Sequence, residues 1–171
     1  FQYEDLAKYD ITESTVSNIW NQLYSGSLIN AQLLIDKAGD KNRHYRGIGR
    51  VLKALNLGLA TDLWGDVPNK EALGGLNGNF NAAFDSQESV IADIQQTLDG
   101  AIADLQSTEN VIAPGADDYI FGGDASKWLM NAYLLKARYA NRLSKKDATG
   151  SANKALEALN GAYAAGYTGN G

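Results

Sequence analysis

The 171-residue sequence has no cysteine and only one histidine, His44. Without cysteine the chain can form no disulfide framework, no thiolate zinc site and no cysteine nucleophile. A metal site built from several histidines is excluded, and a serine-histidine-aspartate triad would have to use His44. Because no nucleophile is paired with His44 in the sequence, we interpret it as a polar residue in the first turn of a helix rather than as a general base.

Clustered positive charge is also lacking. The net charge is −5, and Lys145 and Lys146 form the only adjacent basic pair. Because nucleic-acid binding needs Lys and Arg clustered against phosphates, we exclude nucleic acid as a partner. No apolar run approaches the roughly 20 residues of a membrane-spanning helix. The first residues also lack the basic start and apolar stretch of a secretory signal, so membrane contact would need an anchor missing from this chain.

The residues that are present suit one folded, helical domain. Hydrophobic residues make up 44% of the chain and charged residues 20%, which is ordinary for a globular protein. Apolar positions recur at helical spacing and predict five helices, over residues 11–38, 42–63, 85–105, 124–144 and 151–164. No stretch predicts a strand with similar clarity. The pattern indicates an all-α fold of antiparallel, tetratricopeptide-like helix pairs with long loops, although the strict repeat of about 34 residues is absent.

The second predicted helix has a nearly continuous apolar face. Its members are Ile48, Val51, Leu52, Leu55, Leu57, Leu59 and Leu63. Gly47, Gly49 and Gly58 interrupt this helix, and each costs about 1 kcal/mol relative to alanine. We interpret these glycines as positions where a neighbouring helix approaches closely.

Residues 59–72, with the sequence LATDLWGDVPNKEA, end this helix abruptly. Gly65 has no Cβ and can adopt the left-handed conformation in which many helices end. Pro68 follows and forbids continuation of the helix. The corner is therefore predicted to deliver Trp64, Asp66 and Asn69 to a surface turn.

Two long loops are predicted over residues 65–85 and 107–123, and loops of this length in a compact domain are usually functional or disordered. An aromatic ring can pack on the apolar C–H face of a sugar, while asparagine provides directional hydrogen bonds to hydroxyl groups. The predicted ligand-binding residues are Trp64, Asn69, Asn77, Asn79, Phe80 and Tyr119. The alternative interpretation is that these aromatic rings fold back on the helix ends as core.

Carboxylates near the corner raise the question of catalysis. A glycoside hydrolase needs two carboxylates, and the candidates are Asp66, Glu71, Asp85 and Glu88. Asp85 and Glu88, however, have the spacing of a helix cap, and Asp66 is explained by hydrogen bonds from its side chain to the backbone of a turn. The acidic pair at residues 117–118 lacks the glycine-punctuated loop of an EF-hand calcium site. We therefore predict a protein that is not an enzyme and holds no cofactor or metal.

Residues 59–72 resemble the helix-to-loop junction of the SusD/RagB family, the outer-membrane nutrient-binding lipoproteins of Bacteroidetes. The match covers the Leu, Gly-Asp, Pro and Glu-Ala positions of the family pattern, whereas Asn69 stands where the family usually has an aromatic residue. Residues 84–88 resemble the family's aromatic-Asp-x-x-Glu helix start, and residues 123–128 resemble its Gly-Asp-x-x-Lys-Trp helix start. The resemblance covers nearly all of this chain but only the N-terminal part of the family.

The resemblance implies a single helical domain over residues 1–171 that is a fragment of a longer SusD-like protein. It implies a lipid-anchored protein on the surface of the outer membrane, which captures an oligosaccharide or other glycan. The partner would be a TonB-dependent, SusC-like transporter that receives the ligand. An alternative is a helical-repeat scaffold that binds a protein or peptide partner.

Overall fold

The structure, a computed structural model, describes Lys8 and residues 12–169. In chain order its elements are α1 (Glu13–Asn21), a π-helical segment (Gln22–Leu28), α2 (Ile29–Ala38), α3 (Arg43–Trp64), β1 (Val67–Pro68), a 3-10 turn (Gly74–Asn77), β2 (Phe84–Asp85), α4 (Gln87–Leu105), α5 (Ala125–Asn141) and α6 (Ala148–Ala164). The predicted all-α class is confirmed, and the short strand pair is an addition to it. No helix in the described part of the chain is both long and apolar enough to cross a membrane.

The first predicted helix is one continuous rod made of α1, the π-helical segment and α2. Gly26 lies inside the π-helical segment, where the wider turn changes the pairing of the backbone. Ser25 Oγ donates to Asn21 O at 2.6 Å, and Asn30 Nδ2 donates to Gly26 O at 2.7 Å. These side chains supply donors to carbonyl groups in the widened turn. The rod ends at Gly39, as predicted, while its predicted beginning lies outside the described residues.

Side-chain caps set the starts of the later helices. The Oγ atom of Ser86 caps α4 by accepting a backbone N–H of the first turn at 3.3 Å, so the predicted cap at Asp85 is wrong. Asp124 caps α5 by accepting two N–H groups of its first turn. Asp147 caps α6, which therefore begins at Ala148, earlier than the sequence predicts. Each cap satisfies donors that the first helical turn leaves without an intrahelical partner.

Successive helices pack side by side. α3 packs against α2 and α4, α4 packs against α5, and α5 packs against α6; α3 also touches α5. Only residues 39–42 separate α2 from α3, so the chain reverses there. The antiparallel, tetratricopeptide-like pairing is the predicted architecture.

Two glycines of α3 allow close helix contacts, as the sequence predicts. A Cβ on Gly49 would lie 2.9 Å from a side-chain carbon of Ile35 and 3.1 Å from the carbonyl oxygen of Ala31, both on α2. A Cβ on Gly58 would overlap the ring of Tyr139 on α5. The absence of side chains at these positions therefore sets how closely α3 approaches its neighbours.

The hydrophobic core lies among α3, α4 and α5. Its larger members are Leu23, Leu28, Ile48, Val51, Leu57, Val90, Ile94, Leu98, Leu105, Trp128 and Tyr139. Trp20 is only partly buried and packs at the edge of this core. The predicted apolar face of α3 is likewise buried only in part, because Leu55, Leu59 and Leu63 are 39%, 41% and 53% exposed. Their spacing of four residues places them in one line on the helix surface.

A buried carboxylate connects α3 with α4. Asp104 on α4 is 2% exposed, and its oxygens accept hydrogen bonds from Arg46 Nη2 and Arg50 Nη1, both at 2.6 Å. Arg46 Nε also donates to this carboxylate at 2.9 Å, while Arg46 Nη1 pairs with Asp40. Because the carboxylate is bonded by two guanidinium groups, its burial is compensated by charge-assisted hydrogen bonds.

Candidate ligand-binding site

The corner that follows α3 is closed by reciprocal hydrogen bonds. Gly65 has φ of +76°, a left-handed value that glycine adopts at little cost. Its N–H donates to Thr61 O at 2.9 Å, and Thr61 Oγ1 donates to Gly65 O at 2.6 Å. Thr61 is fully buried, so the corner is fixed against the core. The predicted end of the helix is thus present, and it fixes the direction in which the following loop leaves.

Aromatic rings cluster beside this corner. Trp20 packs edge-on against Trp64, with ring centroids 5.1 Å apart, and lies 4.6 Å from Tyr24. Phe84 stacks on Trp20 with centroids 6.3 Å apart and an interplanar angle of 18°. Trp64 therefore belongs to a supporting layer, while Phe84 is 65% exposed and offers surface to a ligand.

The strand pair and one carboxylate join the two ends of the corner loop. Val67 pairs with Asp85, and Pro68 pairs with Phe84. Asp85 Oδ2 accepts the backbone N–H of Asn69 at 3.1 Å and that of Lys70 at 2.9 Å. These bonds explain why Asp85 is not the helix cap: its carboxylate is turned to the opposite end of the loop.

The interior of the loop is braced by polar side chains. Asn79 Oδ1 accepts the N–H of Asn81 at 3.3 Å, and Asn79 Nδ2 donates to Glu71 O at 3.3 Å. Glu71 Oε2 accepts the N–H of Ala83 at 3.2 Å. Between these bonds Phe80 is 82% exposed. The loop therefore holds an uncovered aromatic ring on a backbone that is internally hydrogen-bonded.

The asparagines predicted to contact ligand have different surroundings. Asn69 Nδ2 donates to Asp93 Oδ2 on α4 at 2.7 Å, and Asn79 is used within the loop. Asn77 belongs to the 3-10 turn, and its side chain lies outside the described part of the structure. Asn69 and Asn79 therefore stabilise the loop that presents Phe80.

The carboxylates considered for hydrolysis are used elsewhere. Asp66 Oδ1 accepts the N–H of Gln87 at 2.9 Å, which fixes the start of α4. Glu88 accepts a hydrogen bond from Lys146 Nζ at 2.7 Å. Since Glu71 and Asp85 hold loop backbone, each of the four candidate carboxylates has a structural partner.

Tyr119 lies at a different place from the corner loop. It is 97% exposed and borders a cavity of about 330 Å³ that is also lined by Tyr45, Asp117 and Trp128. Tyr45 Oη donates to Asp117 Oδ2 at 2.5 Å. Tyr45 and Trp64 stand near opposite ends of α3, separated by about 28 Å at 1.5 Å per residue. The structure therefore groups Trp64, Asn69, Asn79 and Phe80 on one loop and its border, but not Tyr119 with them.

Asp118 organises the loop that carries Tyr119. Its carboxylate accepts Trp128 Nε1–H at 2.6 Å and the N–H groups of Ile120, Phe121 and Gly123 at 3.0–3.2 Å. Burial acts to raise the pKa of Asp118, but these four donors together hold the pKa below its ordinary value. Among the residues that the structure describes, no group of three or more acidic, His or Cys side chains could hold a metal ion.

His44 lies at the start of α3, as predicted. Its backbone N–H donates to Asn110 Oδ1 at 2.8 Å, and its ring atom Nε2 lies 2.8 Å from Ser107 O. These contacts connect the first turn of α3 to the loop after α4, which is a structural role.

Sequence reasoning missed Phe84 as a candidate for ligand contact. It was interpreted as part of a helix start, because Asp85 and Glu88 follow it at capping distance. The available signal was the alternation of an aromatic and an acidic residue at the end of the loop, Phe84 followed by Asp85. Trp20, which contacts both Phe84 and Trp64, supports the Phe84 ring from below.

Comparison with solved structures reveals the same fold in longer chains. A SusD/RagB family protein from Bacteroides thetaiotaomicron is 34% identical, with 86% of this chain covered and a TM-score of 0.77. A SusD-like protein from the same organism is 26% identical, with 91% covered and a TM-score of 0.76. A chitin-binding SusD homologue from Flavobacterium johnsoniae shares the fold at 22% identity, with 87% covered and a TM-score of 0.76. This chain spans 31%, 32% and 31% of those three chains, respectively.

A search among curated proteins gives no significant match. A family model does match, over residues 1–168, and its description is "Starch-binding associating with outer membrane". That description is of a binding protein rather than an enzyme. Together with the shared fold, the match over nearly the whole sequence shows that this chain belongs to the SusD-like_2 family.

Proposed function

We propose that the protein captures an oligosaccharide on the corner loop, with the exposed rings of Phe80 and Phe84 as the contact surface. We name this surface the aromatic platform. The starch-binding description of the family supports a glycan as the ligand class. An aromatic face suits the C–H face of a sugar ring, while loop amides and carbonyls suit its hydroxyl groups.

The observation that carries this proposal is the exposure of Phe80 on a braced loop. A ring that is 82% exposed is not covered by the rest of the fold, so its face is open to a ligand. The loop ends are paired, and Glu71 and Asn79 brace the interior. Such preorganisation lowers the entropy that a ligand must overcome on binding.

Delivery to a TonB-dependent, SusC-like transporter is the second part of the proposal. The family description associates these proteins with the outer membrane, which is where such a transporter lies. The protein would be held at the cell surface by a lipid anchor. Co-purification of the transporter with the protein from outer membranes tests this part separately from glycan binding.

Calorimetry with starch-derived and chitin-derived oligosaccharides tests the capture step. Phe80→Ala is expected to weaken binding about fivefold, and the double change with Phe84→Ala is expected to weaken it further. Tyr163→Ala is the control, since Tyr163 is an exposed aromatic residue on α6. If the platform variants bind as tightly as the unchanged protein, the platform is not the binding surface.

A second candidate function is a helical scaffold for a protein or peptide partner. The exposed line of Leu55, Leu59 and Leu63 on α3 favours it, because an apolar line on a helix is a common protein contact. Leu59→Asp should then abolish partner capture and leave oligosaccharide binding unchanged. If Leu59→Asp leaves partner capture unchanged, this candidate function is excluded.

A further inference from the structure

A polar groove lies beside the corner loop, between α2, α3 and α4. It has a volume of about 410 Å³. Its charged side chains are Arg50, Lys53, Lys70 and Asp93, and its amide side chains are Gln32, Asn69 and Gln96. We name it the cationic groove, because three of these residues are cations and one is an anion. Among the residues that line the groove, cations therefore outnumber anions, while Arg50 also pairs with Asp104 and Lys70 with Asp85 outside the lining.

Arg50 forms the floor of the cationic groove. Its Nη1 donates to Gly100 O at 3.0 Å and to Asp104 at 2.6 Å. A Cβ on Gly100 would lie 2.8 Å from Nη1, so the missing side chain is what allows the guanidinium to lie on α4. In the described structure both hydrogen bonds of Arg50 use Nη1, which leaves donors of the guanidinium for a ligand.

Lys53 is the half-buried cation of the groove. Its Nζ donates to Gln32 Oε1 at 2.7 Å, and Gln32 Nε2 in turn donates to Asp36 at 2.8 Å. The Asp36 carboxylate thus orients the Gln32 amide toward the Lys53 ammonium, and does not itself pair with that ammonium. No ion pair to Lys53 occurs among the described residues, and burial lowers its pKa. An ammonium has three donors, so an anion entering the groove could accept from Lys53.

Lys70 and Asn69 join the groove to the loop that carries the aromatic platform. Lys70 is exposed, and its Nζ lies 3.9 Å from Asp85 Oδ1, a loose ion pair. Asp93 is the opposing carboxylate of the groove, and its Oδ2 already accepts Asn69 Nδ2 at 2.7 Å. The same short stretch of loop therefore borders both surfaces.

We propose that the cationic groove binds the carboxylate or sulfate of an acidic oligosaccharide, while another sugar ring of the same chain rests on the aromatic platform. This inference rests on the proposed glycan binding and narrows its ligand class. Charge-assisted hydrogen bonds from Lys53, Arg50 and Lys70 would supply the selectivity, because they are stronger than bonds to neutral hydroxyl groups.

Calorimetry of the purified protein with matched tetrasaccharides tests the inference. The probes are a galacturonic acid tetrasaccharide, a sulfated galactose tetrasaccharide and a neutral glucose tetrasaccharide. Lys53→Gln and Lys70→Gln should each weaken binding of an acidic probe about tenfold and leave the neutral probe unchanged. Lys70 is exposed, so its variant should fold normally even if Lys53→Gln does not. Lys154→Gln on α6 is the matched control and should change nothing.

The outcomes separate the two proposals. Preference for either acidic probe, lost in the lysine variants and weakened by added salt, supports the cationic groove and identifies the anion. Binding of the neutral probe with equal or greater affinity, unaffected by the lysine variants, overturns the groove but leaves the aromatic platform intact. Binding of none of the probes overturns the platform and the groove together.

Discussion

The Cα atom of Gly58 on α3 lies directly against the phenol ring of Tyr139 on α5, with no room for a Cβ between them. Tyr139 is buried, and its hydroxyl donates to Leu55 O at 3.4 Å. α3 and α5, which are not consecutive in the chain, are therefore held together by the Tyr139 ring, which occupies the space that a side chain at position 58 would fill.

Gly58→Ala is expected to destabilise the protein by about 1–3 kcal/mol, although alanine is the better helix former, because the methyl group displaces a buried ring. Denaturant unfolding measures this change. Gly26→Ala is the matched control, since its Cβ would lie 3.4 Å from the flexible side chain of Gln22. If both variants are equally stable, the contact with Tyr139 does not limit the packing.

The buried carboxylate of Asp104 gives a second prediction. Asp104→Asn leaves the guanidinium groups of Arg46 and Arg50 without their shared anion and should cost about 3 kcal/mol. Asp99→Asn on the same helix removes an exposed pair with Lys136 and should cost less than about 1 kcal/mol. The two unfolding midpoints in urea are compared directly, and similar losses would contradict a special role for the buried anion.

Asp118 is expected to control the order of the loop that bears Tyr119. In Asp118→Asn one carboxylate oxygen is replaced by an NH2 group, which cannot accept a hydrogen bond. At least two of the four bonds to this carboxylate are therefore lost, and the loop should be destabilised by about 1–3 kcal/mol. Tryptophan fluorescence and hydrogen exchange over residues 115–124 report the change. Because the pKa of Asp118 is lowered in the folded state, its stabilisation is present above the ordinary carboxyl pKa and is lost as pH falls through the lowered value. The asparagine variant should lack this acid-dependent step.

The burial of Tyr24 predicts a loss of folding stability at alkaline pH. Burial, with the Asp85 carboxylate adding to it, raises the pKa of Tyr24 to about 12. Its stabilising contribution is complete below the unfolded pKa of about 10 and is lost as pH rises further. Tyr24→Phe also loses the hydrogen bond of 2.8 Å to Pro68 O, so it should be less stable at neutral pH. The difference in unfolding free energy between the two proteins should narrow above about pH 10, whereas a constant difference would contradict the assigned pKa.

The helices could be predicted from the sequence because their signals are local. The apolar stripe of α4 and the glycine after Trp64 depend on neighbours within one or two turns. The cap of α4 was assigned to the wrong residue because Asp85 and Ser86 are both good capping residues, and only the pairing of Asp85 with the far end of the loop decides between them. That pairing spans 15 residues and leaves no periodic signal.

The candidate site was harder to predict for the same reason. Phe80 was identified from its position in an asparagine-rich loop, but the use of Asn69 and Asn79 as braces depends on the carboxylate of Asp93 and the carbonyl of Glu71. Tyr119 was predicted as a ligand contact on the second long loop, and the length of α3 separates that loop from the corner. The cationic groove draws its residues from three helices and a loop, so its assembly depends on tertiary packing.

The pairing of β1 with β2 has a consequence for how this protein could diversify. Since the hairpin is anchored at its base, residues between its two strands can be exchanged or lengthened while α3 and α4 keep their mutual positions. A new tip sequence would then alter ligand choice without requiring the framework to be rebuilt. Hairpin grafts between relatives should consequently transfer sugar preference as a module.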